Sequence, residues 1–368
     1  MSDNQSQQPL LTTYQLGEIT LKNRIIMSSL TRVRVTNPDG APTQLNATYY
    51  AQRASAGLIL SESASISENS IGYINLPGIY TPQQVKGWKL VTDAVKARNG
   101  KMFLQLSHGG SVSHPDFFDG ALPAGPSAVN PMEMSSTPEG FKSTVTPRAF
   151  TIAEIKSIIH NYAEAAKHAK AAGFYGIEIH AQIFTLIPQF LSLFTNQRTD
   201  EYGGSIENRS RFLFEVLDAV KEVFKSTQIG IKFTPAAFFK VIRPDQETIQ
   251  LYEYILAKLS HYELAYVQIV GPEVDLAGTV LEAWNDNYFA HFRKMYKGTL
   301  MVNRGFTRET GNAIIESGIA DLVSFGEPFI ANPDLAERFE KDIVLAAGKK
   351  DTYYTGAEKG YTDYPAAE

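Results

Sequence analysis

The stretch "TIAEIKSIIHNYAEAAKHAKAAG", Thr151 to Gly173, runs almost directly into "YGIEIHA", Tyr175 to Ala181, and reading the two together decides the fold. Thr151 and Glu154 have the spacing of a capping box, in which each side chain satisfies the other's free backbone N–H at a helix start. Ile155, Ile158, Ile159, Tyr162 and Ala166 then fall on one face of a 3.6-residue period, and Gly173 stops the helix. Tyr175, Ile177 and Ile179 alternate with a period of two into His180, as in a strand that delivers a polar group at its end. A helix feeding a buried strand through a short turn is one step of a βα repeat.

The same design recurs. "SIENRSRFLFEVLDAVKEVF" from Ser205 precedes "QIGIKFT" from Gln228, and a helical stretch from Arg308 to Ser317 precedes "ADLVSFG" from Ala320. Other apolar runs are "NRIIMSS" from Asn23, "GLILSES" from Gly57, "KMFLQLS" from Lys101, "LAYVQIVG" from Leu264 and "GTLMVN" from Gly298. Eight strands with intervening helices predict an α/β fold, a single (β/α)8 barrel over residues 10–368. Residues 1–9 read as a frayed polar tail. Residues 111–148, rich in Pro, Gly and Ser, are too many for a βα turn and are expected to form a lid or hairpin after the third strand.

Composition narrows the function. A net charge of -5, from 34 basic and 39 acidic residues, leaves no basic excess for nucleic acid. The most apolar segment, Phe184 to Phe194, is interrupted by Pro188 and Gln189 and is far shorter than the roughly 20 residues of a membrane span. The absence of cysteine excludes disulfides and thiolate chemistry and is compatible with the cytoplasm. No His or carboxylate pair has metal-ligand spacing on a shared element. The expected partner is a small molecule, and the expected state a monomer or homodimer.

In such a barrel the site lies at the C-terminal strand ends. Those ends carry Thr31, Ser63, Gln105 with His108, His180, Lys232, Gln268, Asn303 with Arg304, and Glu327. Any one of them alone also reads as a hydrogen-bonded structural residue, and Glu62 reads as a side chain that satisfies buried backbone. Convergence of His, Lys and Gln on one mouth points to chemistry.

The segments "LKNRIIMSSLTR", "YYAQRASAGLILSES", "GWKLVTDAVKARNGKMFLQLSHGG", "NQRTDEYGGSIENRSRFLFEVLDAV", "ADLVSFGEPFIANPDL" and "GYTDYP" resemble the Old Yellow Enzyme family from about Leu11 to Pro365. The resemblance implies a (β/α)8 barrel that holds FMN and reduces activated alkenes with hydride from a nicotinamide. It also implies departures. Where the family has two carbonyl donors and a tyrosine acid after the fourth strand, this chain has His180, Ile183 and Thr185. Where the family cradles the FMN phosphate, Arg304 replaces a glycine and Glu327 an arginine. Gln105 and Thr31 stand where the family contacts the flavin ring, Lys232 replaces its arginine and Ser29 its proline, while Ser63 lies at the same mouth.

From these departures the sequence suggests a barrel without FMN, in which Arg304 fills the phosphate space, Glu327 repels a phosphate and the two pair with each other. Leu30, Leu104, Ile183 and Phe184 would then line a deep apolar cavity. The leading expectation is a cofactor-independent isomerase that epimerises a carbon next to a carbonyl in a bulky apolar natural product. His180 would be its base, with Lys232, Gln105 and Thr31 holding the enolate. Thr185 and His108 are the reserve proton donors, and Ser107, Gln182, Ile183 and Phe184 complete the substrate pocket. On this reading the chain is most similar to fungal Old Yellow Enzyme-like epimerases acting on decalin-bearing pyridones of the ilicicolin type. Two alternatives stand beside it: an FMN- and NAD(P)H-dependent ene reductase, and a non-catalytic binding barrel.

Overall fold

Glu154 and Thr151 close their capping box at 2.8 and 3.2 Å, and the helix Ile152–Ala171 runs from it to the turn at Gly173. The computed structural model describes residues 8–367. In it eight parallel strands close into a barrel: β1 Ile25–Met27, β2 Leu58–Ser65, β3 Met102–Ser107, β4 Gly176–Ala181, β5 Ile229–Phe233, β6 Tyr266–Val270, β7 Leu300–Asn303 and β8 Leu322–Phe325. Closure is continuous, since β4 pairs with β3 and β5, and β8 with β7 and β1.

The side-chain period of two sorts the barrel interior into layers. Ile26, Leu58, Leu60, Phe103, Tyr266, Met301 and Leu322 fill the lower part. Gly230 is required there because a Cβ would come within 2.1 Å of the Tyr266 ring. An antiparallel hairpin, Tyr14–Leu16 with Ile19–Leu21, plugs this end with Leu16 and Leu21. The strand count from sequence did not include that hairpin. One step up each strand, the inward positions become polar: Gln105, Glu178, Lys232, Gln268 and Ser324, all buried.

The β2–β3 register shifts between Leu60 and Ser63, a bulge that places Ser63 opposite Gln105. The bulged Glu62 turns toward the helix Gln44–Gln52. Its backbone N–H donates to the Tyr50 hydroxyl at 2.9 Å, and its carboxylate accepts from the Arg32 N–H at 3.3 Å. Glu62 thereby holds the chain that leaves β1, where Val33 sits at φ 59.

Residues 111–148 contain short 3-10 turns, a two-stranded parallel pair and an antiparallel hairpin, Met134–Thr137 with Gly140–Ser143. Positions 1–7 of the expected N-terminal tail lie outside the described residues, and Pro9 already begins a 3-10 turn that packs Leu10 in the core. Among the described residues no helix is long and apolar enough to cross a membrane.

Candidate active site

The polar layer ends in a cavity of about 690 Å³ at the C-terminal strand ends. Its floor is a chain of buried hydrogen bonds that crosses the barrel. Lys232 Nζ donates to Ser28 Oγ at 3.2 Å and Ser29 Oγ at 3.1 Å. Gln105 Nε2 donates to Ser29 Oγ at 2.9 Å and Glu178 Oε1 at 2.7 Å. The other oxygen of Glu178 accepts from the Tyr266 hydroxyl at 3.0 Å and Gln268 Nε2 at 2.8 Å. Ser324 and Asn303 continue the chain to β7 and β8.

Glu178 and Lys232 balance each other. Burial raises the Glu178 carboxyl pKa, against the pull of Lys232 and its three donors. Burial likewise lowers the Lys232 pKa, and the carboxylate opposes that shift. The sequence reading missed Glu178, although its spacing of two from His180 puts both on one strand face. Both Gln105 N–H groups are committed to Glu178 and Ser29, and among the described residues no group donates to its amide oxygen.

His180 lies opposite Lys232 across the β4–β5 pair. Its Nδ1 is 3.2 Å from Ser63 Oγ and 3.3 Å from Ser107 Oγ. With one of these hydroxyls donating to its single Nδ1 lone pair, the ring carries its proton on Nε2. Burial, then the Lys232 charge, depresses its pKa to about 3. The ring is therefore neutral at ordinary pH, an N–H donor rather than a base able to keep a proton taken from carbon. Thr31, Gln182, Ile183 and Phe184 line the same cavity.

Three expected site residues do not play the parts expected of them. His108 accepts from the Gly110 N–H through Nδ1 at 3.0 Å, packs edge-on against Phe150, and lines a separate cavity of about 220 Å³. Gly110, at φ 59, makes the turn that points it away. Thr185 lines the main cavity, but its hydroxyl donates to the backbone oxygens of His180 at 2.9 Å and Gln182 at 2.6 Å. That leaves no free proton. Leu104 faces the opposite way from Gln105 and is sealed in the barrel–helix core.

The β7–β8 end corrects the expected charge swap. Arg304 bonds Glu273 at 2.5 Å, while Glu327, exposed, accepts from the Tyr353 hydroxyl at 3.0 Å. The two do not pair with each other, and neither side chain lines the cavity. Arg304 nevertheless has φ 92 and Gly305 φ 71, a backbone shape usually reserved for glycine. Among the described residues no group accepts from the N–H of Gly305 or Gly326. Open space with free N–H donors suits an anionic phosphate, and the Lys232–Gln105–Ser29 floor suits the polar edge of a flavin ring. The residues present thus fit FMN.

A parallel eight-stranded barrel with a polar cavity at its C-terminal mouth defines a (β/α)8 enzyme scaffold. Residues 9–346 match the NADH:flavin oxidoreductase / NADH oxidase family, and the chain belongs to that family, to which the Old Yellow Enzyme homologues belong. It is 38% identical to 12-oxophytodienoate reductase 1 of Oryza sativa subsp. japonica over 98% of this chain and 93% of the relative. A structure of morphinone reductase in complex with tetrahydroNAD superposes with a TM-score of 0.90 at 42% identity, covering 98% of each chain. The Old Yellow Enzyme homologue from Zymomonas mobilis superposes with a TM-score of 0.91 at 37% identity, covering 97% of this chain and 99% of that one.

These relatives overturn the expectation of a cofactor-independent epimerase. The family is one of flavin oxidoreductases and the relatives are reductases, so neither the isomerase activity nor the absence of cofactor stands. The error came from treating Arg304 and Glu327 as residues of the cavity, which they are not.

Proposed function

We propose that the chain is an FMN-dependent, nicotinamide-driven reductase of alkenes conjugated to a carbonyl, with bulky apolar substrates. The carrying observation is the juxtaposition of a neutral N–H donor, His180, with the Lys232–Gln105–Ser29 floor in one cavity. Lys232, Gln105, Ser29 and Thr31 would hold the ring, and the backbone at Gly305 and Gly326 the phosphate. Bound FMN supplies hydride taken from a nicotinamide.

His180 donates one hydrogen bond to the substrate carbonyl, and its neutrality at ordinary pH keeps that donor in place. Ile183 offers no second donor, so polarisation rests on His180, with Lys232 countering negative charge that develops on the ring side. Leu30, Leu76, Met134, Phe141, Ile183 and Phe184 give the mouth an apolar lining suited to a bulky substrate.

The test is spectroscopic first. Protein reconstituted with FMN should bind it in a 1:1 ratio, bleach with NADH or NADPH under nitrogen, and recover its colour on adding 2-cyclohexenone, with cyclohexanone formed. Failure to take up FMN, or bleaching without recovery, rejects the proposal.

A further inference from the structure

Reduction of a conjugated alkene needs a proton at the α-carbon as well as hydride at the β-carbon. Neither proton donor expected from the sequence is available, since the Thr185 hydroxyl is spent on two backbone carbonyls and His108 faces another cavity. Phenols are the remaining acids of suitable strength in the main cavity, which Tyr73, Tyr353 and Tyr354 line. The Tyr353 hydroxyl is committed to Glu327, and burial followed by that carboxylate raises its pKa to about 12. Tyr354 is 56% exposed at the rim. Tyr73 is half-buried, and its hydroxyl bonds to no described residue.

The backbone around Tyr73 is fixed on both sides. Ser70 O accepts from the Gly109 N–H at 2.9 Å, and Ile71 O accepts from the Ser113 hydroxyl at 2.5 Å. The Ile74 N–H donates to Ser136 O at 2.9 Å, which ties the far side to the Met134–Ser143 hairpin. Gly72 lies so close to Gly109 that a Cβ on it would come within 2.8 Å of the Gly109 Cα. A free phenol on a clamped loop, in a cavity whose other phenols are either engaged or exposed at the rim, is placed for proton delivery.

Resting on the reductase reading, we infer that Tyr73 is a catalytic residue, the acid that protonates the α-carbon. Hydride, with the reduced flavin as its source, forms the new C–H bond at the β-carbon while the alkene π bond breaks. The electron pair moves into an enolate whose oxygen accepts from His180. The α-carbon then takes the proton of the Tyr73 hydroxyl as the carbonyl re-forms, and water reprotonates the phenolate.

The experiment compares the parent holoenzyme with Tyr73→Phe, using NADPH and 2-cyclohexenone in anaerobic stopped flow. The flavin absorbance spectrum and the thermal melting temperature of the variant should match the parent, which reports an intact fold. Re-oxidation by the enone should slow at least tenfold in the variant, and by about 10²–10⁴-fold if the full effect of a general acid is lost. Calorimetric binding of the enone to the oxidised holoenzyme should change less than twofold, so the loss falls in kcat and not in KM. Re-oxidation at the parent rate assigns the proton to solvent and overturns the inference while the reductase reading stands. A parallel weakening of enone binding that accounts for the whole loss also overturns it, by making Tyr73 a binding residue. If the parent enzyme itself is not re-oxidised by the enone, both readings fall together.

Discussion

At the barrel end of the cavity each polar side chain is held by one from elsewhere on the barrel wall, as Lys232 is by Ser28 and Ser29 just past β1, and Gln105 by Ser29 and by Glu178 of β4. At the β7–β8 end, Arg304 and Glu327 are held by Glu273 and Tyr353 from surface loops, and both leave the cavity. Strand register gives an inward residue one direction to point, and close packing leaves it few rotamers. A loop residue at the rim goes where a partner is found. Substitutions at the strand-borne end therefore change the site itself, whereas those at the rim change mainly what surrounds it.

The sharpest way to break this contrast is Lys232→Met. It leaves Glu178 buried without its cation and removes the positive charge from the cavity floor. Enone reduction should fall by about 10²–10³-fold, or ~3 kcal/mol of transition-state stabilisation. Flavin content at saturating FMN, read from absorbance, should also drop. Parent-like turnover would mean that the floor network does not engage the reaction.

A second test concerns the pH dependence of the strand-borne end. Burial raises the Glu62 pKa to about 7 from an ordinary 4.5, against the Arg32 N–H that lowers it. Between these values the folded state keeps a proton that the unfolded chain releases, so stability falls as pH rises. The contribution is fully present below pH 4.5 and lost as pH climbs through 7, on the order of 3 kcal/mol. Urea unfolding of Glu62→Gln across pH 4.5–7.5 should give a flatter curve than the parent over that window. Parallel curves would show that the carboxyl titrates normally.

The smallest effects belong to the rim. Arg304 and Glu273 are 40% and 46% exposed, so Arg304→Gly should alter stability by less than about 1 kcal/mol. Glu327→Arg should tighten FMN roughly tenfold through charge near the phosphate. Riboflavin, which lacks the phosphate, should bind both proteins equally. A variant that improves the two flavins alike would place Glu327 beside the ring and dissolve the distinction between the ends.

Much of this contrast follows from what local sequence encodes. The capping box at Thr151 and the period of two through Ile177 and Ile179 are short-range patterns, set by backbone geometry within a few residues. They suffice for helices, strands and a barrel, and they bring Gln105, His180 and Lys232 to one mouth because each ends an inward-facing run. Glu62 as a support for buried backbone was legible on the same grounds.

The remaining decisions depended on contacts between residues far apart in the chain. Glu178 became the centre of the floor only when closure brought Gln105, Tyr266 and Gln268 around it. Thr185 lost its hydroxyl to carbonyls that the following turn presents, and the turn at Gly110 aimed His108 into a different cavity. Arg304 kept a glycine-like φ and sent its side chain to Glu273, 31 residues away. The sequence by itself determined the fold class and the strand-end residues, because secondary-structure periodicity is local. Only the tertiary structure decided which side chains enter the cavity, because a hydrogen-bonding group turns toward whichever partner folding puts within about 3 Å of it.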